Sequence, residues 1–144
     1  MHLPIRGFQY AVPFISSSTM RVWDLTVRSL CRNHLLAEHR ELHAIWSIII
    51  NEKKGYSKHP EVMRWRGKLG ALWARHELQK REMMRRGYSH RSELDLRSVP
   101  RAHRGKVQDT RLESVRRQER NLREKGCDCD CGRRSDPVSP RKSR

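Results

Sequence analysis

The sequence predicts an all-α fold, a compact single domain of about three helices followed by a disordered basic tail. Two observations predict it. Apolar residues recur at helical spacing through two long stretches, as they do along the buried face of a helix. The tryptophans and the Leu/Ile clusters all lie between Trp23 and Leu96, so the core must be built there. With 144 residues, the chain has room for one domain and a tail.

The first predicted helix spans residues 26–50. Its apolar positions recur at spacings of three, four, five and seven residues, and they are Leu30, Leu35, Leu42, Ile45 and Ile49. We expect this helix to stop at Asn51, because the basic segment 53–59 that follows is interrupted by Gly55 and predicts a loop.

The second predicted helix begins at Pro60, since proline is favoured at the first helical position, and it ends before Gly87. Its inner stripe consists of Val62, Trp65, Leu69, Leu72, Trp73, His76 and Met83. Basic side chains flank this stripe in excess over acidic ones, which indicates more than a solvated helix face.

A third helix is predicted over residues 106–125, where Arg, Glu, Gln and Leu favour helix but apolar positions are sparse. The preceding segment contains Pro100 and Gly105 and is expected to be irregular. Residues 126–144 have the composition of a disordered tail.

The charge balance predicts the kind of partner. The chain has 32 Lys and Arg against 16 Asp and Glu, a net charge of +16, and its pI is near 10.8. Such a chain is attracted to polyanions, and DNA or RNA is the first expectation. A membrane surface is disfavoured, because no amphipathic helix with a bulky apolar face stands apart from the predicted core. A purely structural or protein-binding role does not require so large an excess of one sign.

Compartment and cysteine use are predicted together. No apolar run is long enough to span a bilayer, and residues 1–19 make a poor secretory signal because Pro13 interrupts them, so we expect a cytoplasmic protein associated with the nucleoid through DNA. Reduced thiols are expected there. Cys127, Cys129 and Cys131 crowd the charged tail, while Cys31 stands alone in a helical pattern. A soft metal is an alternative use of the tail cysteines, but a structural zinc site has four ligands at wider spacing.

The segment from His34 to Leu42, HLLAEHREL, carries a motif. It resembles the first-helix motif of the pyrimidine-dimer DNA glycosylases of the phage endonuclease V type, which has a His, a Leu, an Ala-Glu pair and an Arg-Glu-Leu run. The matching positions are His34, Leu35, Ala37, Glu38, Arg40, Glu41 and Leu42. The likeness continues without a gap back to Arg21 and forward through the second helix to the last predicted helix, so it covers about residues 20–125.

The resemblance implies both activity and partner. Proteins of this family are DNA repair glycosylases with a linked abasic-site lyase activity, and they flip a nucleotide out of damaged double-stranded DNA. We expect a monomer that uses no cofactor and no metal. The alternative is a noncatalytic DNA- or RNA-binding protein that retains the same fold.

The resemblance also implies site residues. Glu41 corresponds to the family's catalytic carboxylate, although an isolated Arg-Glu pair would be interpreted as a surface ion pair. The side chains expected to contact DNA are Arg21, His34, Arg40, Lys53 and Lys54. The family has a further arginine where this chain has Ala44, and His43 or Lys53 is the expected substitute.

The family's nucleophile is a free N-terminal α-amine, which attacks C1′ of the damaged nucleotide and forms an imine. An α-amine titrates near ~7.7–8.0 and a lysine near ~10.4, so the α-amine has far more free base at neutral pH. The family's first mature residue falls on Met20, which 19 residues precede in this sequence. We therefore expect Met20 to carry the nucleophile, and residues 1–19 to be a mis-assigned start or a disordered extension.

Overall fold

The structure, a computed structural model, describes residues 20–130. Within this range the helices are α1 Arg32–Ile50, α2 Pro60–Trp65, α3 Leu69–Arg85 and α4 Val115–Glu124, and no β-strand forms. Short 3-10 turns occupy Val27–Ser29, Leu96–Ser98 and Arg101–His103. The predicted all-α class is confirmed. No helix in the described range combines the length and apolarity needed to cross a membrane. The predictions for residues 1–19, and for the tail from Cys131 onward, lie outside the described residues.

Helix α1 ends at Ile50 as predicted but begins at Arg32, later than the expected start at residue 26. The reason is a tertiary contact from the end of α3. The guanidinium of Arg86 donates to the carbonyl oxygen of Leu30 at 2.7 Å, which is possible because Leu30 is extended rather than helical. The side chain of Arg86 therefore stabilises a non-helical backbone in the turn before α1.

The second predicted helix is two helices, α2 and α3, because the chain breaks at residues 66–68. Gly67 adopts a left-handed backbone conformation with φ +73°, which favours glycine. Gly105 packs against this break: its amide donates to the Gly67 carbonyl at 3.0 Å, and its own carbonyl accepts from Ala71 at 2.9 Å. A Cβ on Gly105 would collide with the Gly67 carbonyl oxygen.

The third predicted helix is shorter than expected, since α4 begins only at Val115. Side-chain contacts hold the preceding segment outside the helix, including a 2.8 Å bond from the Gln108 amide to the carbonyl of Arg64. Ser114 then starts the helix, because its hydroxyl oxygen accepts from the amide of Arg117.

Two groups of buried side chains form the core. The first packs α1 against α2 and α3, and it contains Val22, Leu42, Ile45, Trp46, Ile48, Val62, Trp65, Leu69, Leu72 and Val99. The second joins the segment before α1 to the ends of α3 and α4, and it contains Trp23, Leu25, Val27, Leu30, Leu35, Met83 and Leu122. Cys127 and Cys129 pack against this second group, so the first residues after α4 are attached to the domain.

Candidate functional site

Glu41 lies half-buried on α1, next to the exposed Arg40. Within residues 20–130 its carboxylate has no hydrogen-bond or ion-pair partner. Burial raises the pKa of Glu41, and the charge of Arg40 opposes that shift. A carboxylate that is partly desolvated and yet unused by the fold is available for chemistry.

Glu38, one turn earlier on α1, has the opposite character. It is only 1% exposed, and it accepts from the guanidinium of Arg75 at 2.8 Å and from the backbone amide of Trp23 at 2.8 Å. Arg75 also donates to the carbonyl of Leu25 at 2.6 Å. Glu38 therefore holds the segment before α1 against α1 and α3, and its charge is committed to the fold.

Met20, at the start of the described residues, contacts the core of the domain. Its partly buried side chain packs against the first core group, which includes Leu42 from α1. The chain just after it is held by α2, because Arg64 donates to the carbonyl of Val22 at 2.7 Å and Glu61 accepts from the Val22 amide at 3.3 Å. The structure thus brings the predicted nucleophile position and α1 to the same part of the core.

Two of the side chains expected to contact DNA have partners inside the protein. Arg21 forms a 2.8 Å ion pair with Glu113 and lies 4.5 Å from the ring centre of Trp23. Nδ1 of His34 lies 3.2 Å from the sulfur atoms of both Cys31 and Cys129.

The other three, Arg40, Lys53 and Lys54, are exposed. Arg40 projects from α1, and the two lysines lie in the loop directly after it. None of the three forms an ion pair with any residue in the range 20–130. They are the side chains of the predicted set that remain free to meet a phosphate.

Sequence reasoning missed two groupings of metal-ligating residue types. One consists of Cys31, His34, Cys127 and Cys129, and the other of His39, His43, His76 and His90. Burial and the neighbouring imidazoles lower the pKa of His43 to about 4. The four-residue spacing of His39 and His43 on one helix was the available sequence signal for the second grouping. For the first, the crowded tail cysteines were a signal, but nothing in the sequence indicated that Cys31 and His34 would join them, because these residues lie more than 90 positions earlier.

Fold and site define a class: a small, strongly basic helical protein with a half-buried, uncommitted glutamate on its first helix. The family model described as pyrimidine dimer DNA glycosylase matches residues 20–96, more than half of the chain. The chain therefore belongs to that family, as the motif around Glu41 predicts, and is a DNA repair glycosylase whose substrate is DNA. No curated protein matches it, and no solved structure does.

Proposed function

We propose that this protein excises pyrimidine dimers or related damaged bases from double-stranded DNA and cleaves the strand by a linked abasic-site lyase reaction. Met20 supplies the nucleophilic amine and Glu41 the catalytic carboxylate. The observation that carries the proposal is the uncommitted, half-buried carboxylate of Glu41, on a helix that contributes to the core group against which Met20 packs. The family match that begins at residue 20 supports it.

In the proposed reaction, the amine nitrogen of Met20 forms a bond to C1′ while the glycosidic bond breaks and the base leaves with the electron pair. Loss of a proton from nitrogen and opening of the sugar ring then give an imine. Removal of a C2′ proton expels the 3′ phosphate and cuts the strand. The ionised carboxylate of Glu41 stabilises the positive charge that develops on the sugar.

The proposal requires that the working chain begin at Met20, because an internal residue has no α-amine. No lysine occurs between Met20 and Lys53 to replace it. A solvated lysine is also a weaker candidate at neutral pH, since its pKa of about 10.4 leaves it almost wholly protonated.

The proposed DNA contacts rest on Arg40, Lys53 and Lys54. Their exposure and lack of ion pairs within residues 20–130 leave their charges available to phosphates. Arg21 and His34 are the other two proposed contacts, and each would have to exchange a partner inside the protein for a phosphate. The protein would act as a monomer in the cytoplasm, associated with the nucleoid.

Borohydride trapping tests the proposal, because it reduces an imine to a stable secondary amine. A chain beginning at Met20 should become crosslinked to abasic or dimer-containing duplex, and peptide mapping should locate the crosslink at Met20. The 144-residue chain and an α-acetylated Met20 chain are the controls, and both should remain uncrosslinked. Equal trapping of the long chain, or a crosslink at a lysine, would refute the N-terminal mechanism. Binding without trapping by every form would favour the noncatalytic DNA-binding alternative.

A further inference from the structure

Cys31, His34, Cys127 and Cys129, called here the thiol cluster, meet at one end of the domain. Cys31 directly precedes α1, His34 lies in its first turn, and the other two follow α4. The donor atoms of all four lie within 4.8 Å of one another. The three cysteines are free thiols. Two distant parts of the chain therefore each contribute two side chains whose metal-binding atoms lie close together.

The spacing of these atoms suits a single zinc ion. Tetrahedral zinc has Zn–S distances of about 2.3 Å and Zn–N distances of about 2.0–2.1 Å, which separates neighbouring ligand atoms by roughly 3.3–3.8 Å. Nδ1 of His34 lies 3.2 Å from the sulfurs of Cys31 and Cys129. Three thiolates and one imidazole are also a donor set of structural zinc sites.

We propose that the thiol cluster binds one structural zinc ion, which fastens the segment after α4 to the start of α1. Other contacts already join these two segments: the amide of Asp130 donates to the carbonyl of Ser29 at 2.7 Å, and the amide of Cys31 donates to the sulfur of Cys129 at 3.1 Å. The spacing of the tail cysteines alone disfavours zinc, but Cys31 and His34 supply the ligands that the tail lacks. This site is independent of the proposed catalytic reaction.

A second site rests on different observations. On the facing sides of α1 and α3 and in the segment after α3, the histidines His39, His43, His76 and His90 bring four ring nitrogens within 4.8 Å of one another. Nε2 of His39 lies 3.2 Å from Nε2 of His43 and 3.2 Å from Nε2 of His90. Three imidazole nitrogens on a tetrahedral zinc ion would be separated by about 3.3 Å.

Hydrogen bonds alone do not account for the two 3.2 Å contacts of His39 Nε2 with His43 and His90. Nδ1 of His39 lies 2.9 Å from Oε1 of Gln79, which can only accept, so Nδ1 carries the proton and the Nε2 lone pair faces His43 and His90. One lone pair cannot accept two linear hydrogen bonds. A cation would satisfy all three nitrogens, and a second partner on the outer nitrogen is typical of metal-bound histidine.

We infer that this histidine cluster binds a second divalent ion, of the zinc class that imidazole ligands favour. Its ligands are His39 and His43 from α1 and His90 from the segment after α3, so the ion would join these two elements. His76 adds no ligand, since its two ring nitrogens lie 3.1 Å from Glu77 and from the Ser92 carbonyl oxygen. His76 and His39 are buried, at 0% and 8% exposure, so water has little access to the ring nitrogens of the cluster.

Both sites are tested on the intact full-length chain, purified without chelator and weighed by native mass spectrometry. Two zinc ions per chain are expected. A mercurial reagent, which displaces zinc from thiolates, should release one ion, and a strong chelator should then release the other. If the mercurial releases no zinc, the thiol site is refuted. If only one ion is bound and the mercurial releases it, the histidine site is refuted.

Variants assign each ion, and cobalt substitution identifies its ligands. Cys31→Ser should abolish the sulfur-to-cobalt charge-transfer bands and remove one ion. His43→Ala should remove the other ion and leave those bands unchanged, while His103→Ala, at an exposed histidine, should keep both. Alkylation of the unaltered chain gives a second measurement, which does not depend on the folding of a variant. Cys31, Cys127 and Cys129 should react with iodoacetamide much faster after chelation, and unchanged rates would overturn the thiol site.

Discussion

Arg75 donates hydrogen bonds to both carboxylate oxygens of Glu38, with its Nη2 atom 2.8 Å from one oxygen and 3.1 Å from the other. This pair distinguishes two glutamates that lie one turn apart on α1. Glu38 is buried and forms an ion pair with Arg75, whereas Glu41 is half-buried and has no ion-pair partner among residues 20–130. A substitution at Glu41 should therefore lower activity, whereas a substitution at Glu38 should lower stability.

Glu41→Gln should leave duplex binding within a few-fold but reduce strand cleavage by about 10²–10³-fold or more, because the amide keeps the shape and removes the charge. Single-turnover nicking of dimer-containing DNA by chains that begin at Met20 measures the rate, and fluorescence anisotropy measures binding. Cleavage by the variant at the parental rate would show that Glu41 is not the catalytic carboxylate.

Glu38→Gln should instead lower the free energy of unfolding by about 3–5 kcal/mol, because it leaves the largely buried guanidinium of Arg75 without its counter-charge. Urea unfolding measures the loss. Glu124→Gln is the matched control, since Glu124 is exposed at the end of α4 and should change stability by less than about 0.5 kcal/mol. Equal effects of the two substitutions would contradict the structural role of Glu38.

Affinity for undamaged duplex should depend steeply on salt, because phosphate contacts dominate binding by a chain with a net charge of +16. With about six contacts, the affinity should fall by roughly 10³-fold between 50 and 200 mM salt. Lys53→Ala combined with Lys54→Ala should lower the slope of log K against log salt by about 2. Arg97→Ala, at a residue paired with Asp95, is the control and should change it less. A flat salt dependence would exclude phosphate-dominated binding.

Gly105→Ala should destabilise the fold by about 1–3 kcal/mol, because the added Cβ meets the carbonyl oxygen of Gly67 at the break between α2 and α3. Gly55→Ala is the control. Gly55 is exposed in the loop after α1, and a Cβ there meets nothing within 4 Å. Thermal unfolding of both variants is the measurement, and equal stability would mean that the close approach of the two glycine segments is not required.

The sequence by itself determined the helical class, the C-terminal end of α1 and part of its buried face. Leu35, Leu42 and Ile45 were predicted to lie on that face, and each is 0% exposed. Trp46 and Ile48 are also buried on α1 and were not predicted. Helical periodicity and the loop signal after Ile50 depend only on neighbouring residues, so they are visible in one dimension. The motif around Glu41 likewise lies within one helix and was sufficient to predict the family.

Only the tertiary structure decided where helices break and which polar groups meet. The break at Gly67 depends on the approach of Gly105, and the open turn before α1 depends on Arg86. The contact between Cys31 and Cys129 joins residues 98 positions apart, a separation over which no local pattern carries information. The packing of the helices decides which of these residues meet, and it therefore also decides the two candidate metal sites. The same packing pairs Glu38 with Arg75 and leaves Glu41 without an ion-pair partner among residues 20–130.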